Sequence, residues 1–220
     1  MAEKLRIGVL ASGGGTNLQS IIDGCENSSI NGHIVTVISN NPDAGALQRA
    51  ANTGISTQCI NHREFDQRDK FDAQVVAALK EKKVELVVLA GFMRIIGQRF
   101  LDAFPGQIMN IHPALLPAFP GLHVQQKALD YGARFAGCTV HFVDGGVDTG
   151  PIIAQAVVPV LDNDTENTLS ARILVQEHKL YPQAIQWFAQ GALRIEGRRV
   201  TIDSQQNDLS QTLINPPLDC

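Results

Sequence analysis

The sequence lacks long hydrophobic runs, paired cysteines and clusters of basic residues. No stretch approaches the roughly 18 apolar residues of a membrane span, and the apolar run at 7–11 is shorter than the ~7–15 residues of a secretory leader. The four cysteines, Cys25, Cys59, Cys138 and Cys220, lie far apart with no Cys-x-x-Cys motif. This spacing indicates reduced thiols rather than a disulfide framework. These absences predict a cytoplasmic protein with no membrane partner.

The charge is modest and of mixed sign, with 18 basic and 22 acidic side chains and a net charge of −4 over 220 residues. Because no run of Lys or Arg is present, the sequence argues against a nucleic-acid partner. No His-Glu-x-x-His motif or comparable ligand spacing appears, so we expect no metal site. A chain of this length can bury roughly 70% of its unfolded surface around one core.

The first half alternates short apolar strands with helices. The predicted strands are 5–11, 34–39, 57–60 and 84–90, and the predicted helices are 16–25, 42–53 and 65–82. Within 65–82, the apolar residues Phe71, Val75, Val76 and Leu79 recur at helical spacing. Nearly continuous apolar strands that alternate with helices are typical of a parallel sheet covered on both faces.

The second half has a different pattern. Strands are predicted at 108–111, 138–143 and 152–160, a short helix at 124–131, and a hairpin at 193–195 and 200–202 around Gly197. The loop at 144–151 is long enough for either pairing sense of its flanking strands. A long helix is predicted from about 163 or 165 to 188, capped by Asp164 or Thr165, with Pro182 placed to kink or divide it.

These elements predict a single domain over residues 1–203. The expected architecture is α/β: a Rossmann-like, predominantly parallel twisted sheet with helices on both faces. Its C-terminal half mixes antiparallel strands with a long helix. Residues 204–220 are polar and contain Pro216-Pro217, which predicts a poorly ordered tail.

A glycine-rich loop, Ser12-Gly13-Gly14-Gly15-Thr16-Asn17, joins the first strand to the first helix. Backbone N–H groups and the helix dipole favour an anion there, and glycine lets the backbone approach it closely. The loop lacks the Gly-Lys-Ser/Thr of a triphosphate site, and Leu18 replaces the third glycine of Gly-x-Gly-x-x-Gly. The second strand ends in Ser39-Asn40-Asn41, without an acid for a dinucleotide ribose. The loop therefore predicts a monophosphate site, and the alternative is a tight turn that binds nothing.

Asn110-Ile111-His112-Pro113 follows from the strand at 108–111. Residues two apart on a strand share a face, and Pro113 favours an extended backbone at His112. Asp148 stands downstream in a glycine-lined loop, 145–151. An amide donor, an imidazole and a carboxylate that orients the imidazole are the groups that acyl transfer needs. Taken singly, each has a structural alternative: a hydrogen-bonded histidine for His112 or His141, and a turn residue for Asp148.

The ordered motifs together resemble those of the phosphoribosylglycinamide formyltransferases, folate-dependent enzymes of purine synthesis. The motifs include Ser-Gly-Gly-Gly-Thr-Asn at 12–17, Ala-Gly-Phe-Met-Arg-Ile at 90–95, Asn-Ile-His-Pro at 110–113, Pro-Gly-Leu-His at 120–123, Asp-Thr-Gly-Pro at 148–151 and Gln-Glu-His at 176–178. They cover about residues 5–195. The resemblance implies that a formyl group passes from 10-formyltetrahydrofolate to the amine of glycinamide ribonucleotide.

The resemblance also implies a role for each site residue. Gly15, Thr16 and Asn17 would hold the phosphate, and Glu177 the rest of the ribonucleotide. His112 would be the general acid, Asn110 would stabilise the oxyanion, and Asp148 would orient His112 and favour its cationic form. The folate pocket would consist of Arg68, Met93, Arg94, Ile95, Ile96, Asn110, Asp144, Gly145, Gly146, Val147 and Asp148. For Met93 and Ile95, core packing is the alternative.

Two positions depart from the family pattern. Gly14 stands where Asn is common, which removes a possible side-chain contact with the ligand. Gly145-Gly146 replaces bulkier, often acidic residues, which predicts a more mobile folate loop.

Other functions are weighed against this one. A methionyl-tRNA formyltransferase would need a C-terminal RNA-contacting domain, and a formyltetrahydrofolate hydrolase usually has an N-terminal regulatory domain. Because the chain starts on its first strand and ends just after the hairpin, we expect neither. An oxidoreductase that binds a nucleotide sugar or a dinucleotide fits the glycine loop poorly, and a phosphate-sensing module would not need His112. Monomer and homodimer both stay open.

Overall fold

A computed structural model describes residues 3–203 and Asn215. The strands are β1 (Leu5–Ala11), β2 (Gly32–Ser39), β3 (Thr57–Cys59), β4 (Leu86–Leu89), β5 (Ile108–His112), β6 (Phe135–Phe142), β7 (Ile152–Pro159), β8 (Leu193–Glu196) and β9 (Arg199–Ile202). The helices are α1 (Thr16–Glu26), α2 (Gly45–Asn52), α3 (Arg68–Glu81), α4 (Gln98–Ala103), α5 (Val124–Tyr131) and α6 (Glu166–Ala189), with a 3₁₀ turn at His62–Glu64.

Within this part of the chain the strands form one sheet, in the order β3-β2-β1-β4-β5-β6-β7-β9-β8. The first five strands of that order are parallel, whereas β6 pairs antiparallel with both β5 and β7. This confirms the predicted α/β fold, with a parallel first half and a mixed second half. Because β2 and β4 flank β1, the topology switches at β1 and β4. Ligands of such sheets bind beyond the carboxyl ends of the strands at that point.

Both faces of the sheet are buried, as the apolar strands predict. Ile7 and Val9 of β1 are fully buried in a core that includes residues of α1 and α6. Leu10 points to the opposite face, where it belongs to a second core with Phe71 of α3 and Phe100 of α4. Since successive side chains alternate between faces, a strand covered on both sides must be apolar throughout.

The long helix α6 begins as expected and is not divided. Thr165 is the N-cap: its Oγ1 accepts the Thr168 N–H at 3.3 Å, and its own N–H donates to Thr168 Oγ1 at 2.9 Å. Asp164 instead binds Arg172, whose Nη1 donates to its carboxylate at 2.6 Å. Pro182 lies inside one continuous helix from Glu166 to Ala189.

Two short elements were not predicted, namely α4 and the 3₁₀ turn. The six residues of α4 bury only Phe100, which is too short a span to show helical periodicity. The predicted tail, 204–220, lies outside the described residues except for Asn215, whose Nδ2 donates to the Val160 carbonyl at 3.0 Å. Among helices within residues 3–203, none combines the length and the apolar character needed to cross a membrane.

Candidate active site

Three chain segments meet at the carboxyl edge of the parallel strands. The glycine loop follows β1, residues 91–96 follow β4, and Asn110 and His112 lie at the end of β5. Parallel strands end at the same edge of a sheet, so the topology brings these segments together.

The glycine loop is shaped by Gly15. This residue has φ 77°, in the left-handed region, and a Cβ there would lie 2.8 Å from the Cα and Cβ atoms of Ala46. Only glycine meets both constraints. The first bond of α1 runs from Gln19 N to the Gly15 carbonyl at 3.0 Å, so the N–H groups of Thr16 and Asn17 precede the helical ladder. Because no side chain caps this helix, the geometry suits a bound anion.

Helix α2 supports the loop. Ala46 N donates to the Gly13 carbonyl at 3.0 Å, and Arg49 Nε donates to the Gly14 carbonyl at 2.8 Å. A Cβ at Gly14 would meet nothing within 4 Å. Glycine at this position therefore answers no steric demand, and the loop has room for a larger residue.

Glu177 on α6 reaches the same loop. Asn17 Nδ2 donates to Glu177 Oε2 at 2.7 Å, and Glu177 is only 6% exposed. Burial raises the pKa of the Glu177 carboxyl, and the hydrogen bond from Asn17 acts in the opposite direction. The structure thus brings Glu177 to the predicted phosphate residues.

The predicted imidazole and carboxylate also meet. His112 is buried, and its Nδ1 lies 3.4 Å from Asp148 Oδ2. Asp148 has φ 54°, a left-handed conformation that Asp tolerates better than most residues. The Gly121 N–H donates to the same carboxylate oxygen at 2.9 Å. The carboxylate is therefore held in place beside the imidazole.

Both ring nitrogens of His112 face acceptors. Nε2 lies 2.9 Å from the Phe119 carbonyl oxygen, and Nδ1 faces the Asp148 carboxylate. A carbonyl and a carboxylate only accept hydrogen bonds, so the doubly protonated imidazolium satisfies both contacts. The two contacts hold the ring in one orientation.

The Asn110 amide is oriented by His141 of β6, which lies opposite it in the antiparallel pair. His141 Nδ1 lies 2.8 Å from the Phe142 carbonyl, to which it donates, and Nε2 lies 3.2 Å from Asn110 Nδ2. Burial lowers the pKa of His141, so the neutral ring accepts an amide N–H at Nε2. His141 is a hydrogen-bonded core residue, as expected, but its partner is a predicted site residue. The sequence carries no signal for the register that creates this contact.

Ser12 connects the glycine loop to two neighbouring strand ends. Its hydroxyl donates to Asn40 Oδ1 at 2.6 Å and accepts the Met93 N–H at 2.8 Å. Its own N–H donates to the Gly91 carbonyl at 3.0 Å. The Ser12 side chain and backbone therefore link the glycine loop to the 91–96 segment, which contains residues predicted to bind folate.

The apolar residues predicted to line the folate pocket fall into two groups. Met93, Ile95 and Val147 are 66%, 57% and 49% exposed, so core packing does not account for Met93 or Ile95. Ile96 is buried and belongs to the core cluster that contains Phe100. It can serve the pocket through its backbone.

The two basic members of that set contact α3. Arg68 is the first residue of α3 and pairs with Asp72, with 3.7 Å between Nε and Oδ2. The guanidinium of Arg94 lies 5.8 Å from the centre of the Phe71 ring, which is within cation–π range. Both guanidinium groups therefore contact side chains of α3, Asp72 for Arg68 and Phe71 for Arg94.

The turn that carries Asp148 is held from within. Asp144 Oδ1 accepts the Gly146 N–H at 3.0 Å and a hydrogen bond from Thr149 Oγ1. A Cβ at Gly146 would collide with the Thr149 side chain, whereas Gly145 faces open space. The greater mobility expected for this loop stays a prediction.

An imidazole beside a carboxylate, an oriented amide and a glycine loop at a helix N-terminus are groups that group-transfer enzymes use. Across residues 3–203 and Asn215, no group of three or more His, Cys, Asp or Glu side chains is arranged to hold a metal ion. Residues 5–185 match the protein family described as formyl transferase. The chain belongs to the formyl transferase family.

Two relatives are similar to this chain over nearly the whole length of both proteins. The chain is 43% identical to phosphoribosylglycinamide formyltransferase of Escherichia coli K12, covering 92% of this chain and 95% of that protein. It is 52% identical to glycinamide ribonucleotide transformylase 1 of Symbiobacterium toebii, whose crystal structure superposes with a TM-score of 0.91 over 92% of this chain and 95% of the other.

A longer relative is also similar. The trifunctional purine biosynthetic protein adenosine-3 of Drosophila pseudoobscura is 49% identical over 86% of this chain. The chain spans only 14% of the length of that protein. The resemblance read from the sequence is thus confirmed at the level of the family.

Proposed function

We propose that this protein transfers a formyl group from 10-formyltetrahydrofolate to the amine of N1-(5-phospho-D-ribosyl)glycinamide, a step of IMP synthesis. The observation that carries the proposal is the 3.4 Å approach of His112 to Asp148, with Asn110 on the same face of β5. The relatives named above support the choice of substrates. A cytoplasmic monomer or homodimer acting on these two small molecules is the setting we infer.

The reaction follows from these groups. The substrate amine attacks the formyl carbon, and negative charge develops on the formyl oxygen, near the Asn110 amide and cationic His112. As the C–N10 bond breaks, the Nε2–H of His112 exchanges the Phe119 carbonyl for N10 and gives N10 its proton, and the ring regains a proton from the former amine. The products are the formamide and tetrahydrofolate, with no net change at the imidazole.

Each substrate has a proposed binding site. The backbone N–H groups at Gly15, Thr16 and Asn17 bind the phosphate, and the Glu177 carboxylate accepts hydrogen bonds from the ribose hydroxyls. The exposed Met93, Ile95 and Val147 cover the pterin of the donor. Arg68, Arg94 and the 144–148 turn complete the donor pocket.

The direct test is an assay with both substrates. We expect tetrahydrofolate and the N-formyl ribonucleotide to appear in a 1:1 ratio, with no release of tetrahydrofolate when the ribonucleotide is left out. Release of formate from the donor alone would identify a hydrolase instead. The absence of turnover under both conditions would contradict any formyl-transfer function.

Replacing Gly15 with alanine should act on one substrate. The added Cβ would press on Ala46 and oppose the left-handed φ of 77°, so the loop must shift. We expect the KM for the ribonucleotide to rise about tenfold, the effect of losing one charge-assisted contact, and the KM for the donor to stay unchanged. Steady-state kinetics measure both constants.

The matched control is Gly54→Ala. Gly54 has φ 73° and open space around its Cβ position, so this variant carries the same backbone strain away from the loop. A rise of both KM values in Gly15→Ala, or of the ribonucleotide KM in Gly54→Ala, would argue against the phosphate assignment.

Asn110→Ala should remove an oxyanion donor. Loss of one such donor costs about 3 kcal/mol of transition-state stabilisation, and we expect this loss in kcat while both KM values change little. Asn167→Ala on the exposed side of α6 is the control. Native-like kcat in a folded Asn110→Ala variant would exclude the amide from the oxyanion site.

A further inference from the structure

A buried carboxylate, Asp72, lies beneath Arg68 on α3. Asp72 is 3% exposed, whereas 48% of the Arg68 side chain is exposed. Arg68 Nε lies 3.7 Å from Asp72 Oδ2, and Arg68 Nη2 donates to the Ile96 carbonyl at 3.4 Å. The protein therefore holds the inner edge of the guanidinium, and the rest of the group faces solvent.

Asp72 also contacts the segment that follows β4. Its carboxylate lies against the backbone of Gly97, which lowers the pKa of the Asp72 carboxyl, and a Cβ at Gly97 would collide with Asp72 Oδ2. Gly97 is the N-cap of α4, where the helix dipole favours a negative charge. One carboxylate thus fixes Arg68 and the corner at Ile96–Gly97 together.

A carboxylate at position 72 is unfavourable, because its buried neighbours on α3 are apolar. The buried residues of α3 are Phe71, Asp72, Val75, Val76 and Leu79, all apolar except Asp72. Burial raises the pKa of the Asp72 carboxyl, and the charge of Arg68, the Gly97 N–H and the charge of Arg94 oppose that rise. Because a buried carboxylate is unfavourable unless it is paired, an apolar residue would serve the core better.

We propose that Asp72 is a positioning residue for the formyl donor, holding Arg68 so that its exposed edge binds a carboxylate of the donor's glutamyl tail. This rests on the proposed function, because it assumes a folate donor. Tetrahydrofolates carry carboxylates at the end remote from the pterin, and a guanidinium matches a carboxylate with paired N–H groups. Asp72 acts through Arg68 and does not touch the donor.

The test compares two donors with the variant Asp72→Asn. One donor is 10-formyltetrahydrofolate, and the other has its glutamyl tail replaced by an uncharged amide. We expect the KM for the complete donor to rise about tenfold, as for one lost charge-assisted contact. The KM for the amide donor, the KM for the ribonucleotide and kcat should stay as in the wild type.

An equal rise of KM for both donors would show a merely structural role and overturn the proposal, as would no rise for either. Failure of the proposed function is distinguishable, because the wild-type protein would then turn over neither donor. Asp69→Asn is the control: it lies on the same helix, its carboxylate is 63% exposed, and it pairs with Arg99.

Two further variants make the test independent of the first. In an Arg68→Gln background, Asp72→Asn should add no further rise of KM, since the group that it positions is gone. Gly97→Ala displaces the Asp72 carboxylate from the other side and should raise the KM for the complete donor only. A folded Gly97→Ala variant with an unchanged ratio of the two KM values overturns the proposal even if Asp72→Asn does not fold.

Discussion

His112→Ala is expected to lower kcat by about 10²–10⁴-fold, the range for loss of general acid–base catalysis. Folate N10 must be protonated as it leaves, and His112, whose Nδ1 lies 3.4 Å from Asp148 Oδ2, is the residue proposed to supply that proton. The glycine loop and the exposed apolar residues are untouched by this change, so both KM values should vary little. Steady-state kinetics with each substrate in turn provide the measurement.

The control for His112→Ala is His33→Ala. His33 lies near the amino end of β2, whereas the candidate site lies beyond the carboxyl ends of the parallel strands. His33 Nε2 is 3.4 Å from Arg6 Nη1. Circular dichroism would show that both variants fold. Near-native kcat in folded His112→Ala would mean that another group protonates N10.

Asp148→Asn is expected to have the second large effect, a fall in kcat of about 10²–10⁴-fold. The amide keeps the shape of the side chain and tolerates φ 54°, so the turn should persist. What is lost is the negative charge of the carboxylate that lies 3.4 Å from His112 Nδ1. Asp102→Asn, an exposed position on α4, is the control.

The double variant makes this prediction sharper. If His112 and Asp148 act as one unit, the double variant His112→Ala, Asp148→Asn should be no slower than His112→Ala alone. Multiplicative losses in the double variant would show that Asp148 has a separate role, for example through His141, whose Nε2 lies 3.8 Å from Asp148 Oδ1.

Most of the fold could be predicted because the apolar pattern of each strand is determined by burial on both faces. The strand at 5–11 and the helix at 124–131 have the predicted bounds, since turn residues mark their ends. Helix 42–53 begins only at Gly45, because Ala44 is extended. The pairing partners of β6 could not be predicted, since register depends on contacts between distant segments.

The candidate site was predictable where chemistry and local sequence coincide, as at His112 and the glycine loop. The supporting residues were harder to find. Ser12 and His141 act through contacts with residues far away in sequence, so neither has a local signal. Asp72 did have one, since it occupies the same face of α3 as Val75, Val76 and Leu79. A charge on an apolar helical stripe marks a residue with a partner in the fold.

The hydroxyl of Ser12 has a consequence for any redesign of specificity. It donates its only proton to Asn40 Oδ1 and accepts the Met93 N–H, so one side chain joins the loop proposed to bind the phosphate to the segment proposed to bind the formyl donor. We expect substitutions in either segment to preserve the spacing between the two only while Ser12 is present. Alanine at position 12 would remove both hydrogen bonds, so the two proposed binding segments could shift independently. Two bound molecules react efficiently only when they are held in a fixed relative orientation, and we expect that orientation to be lost.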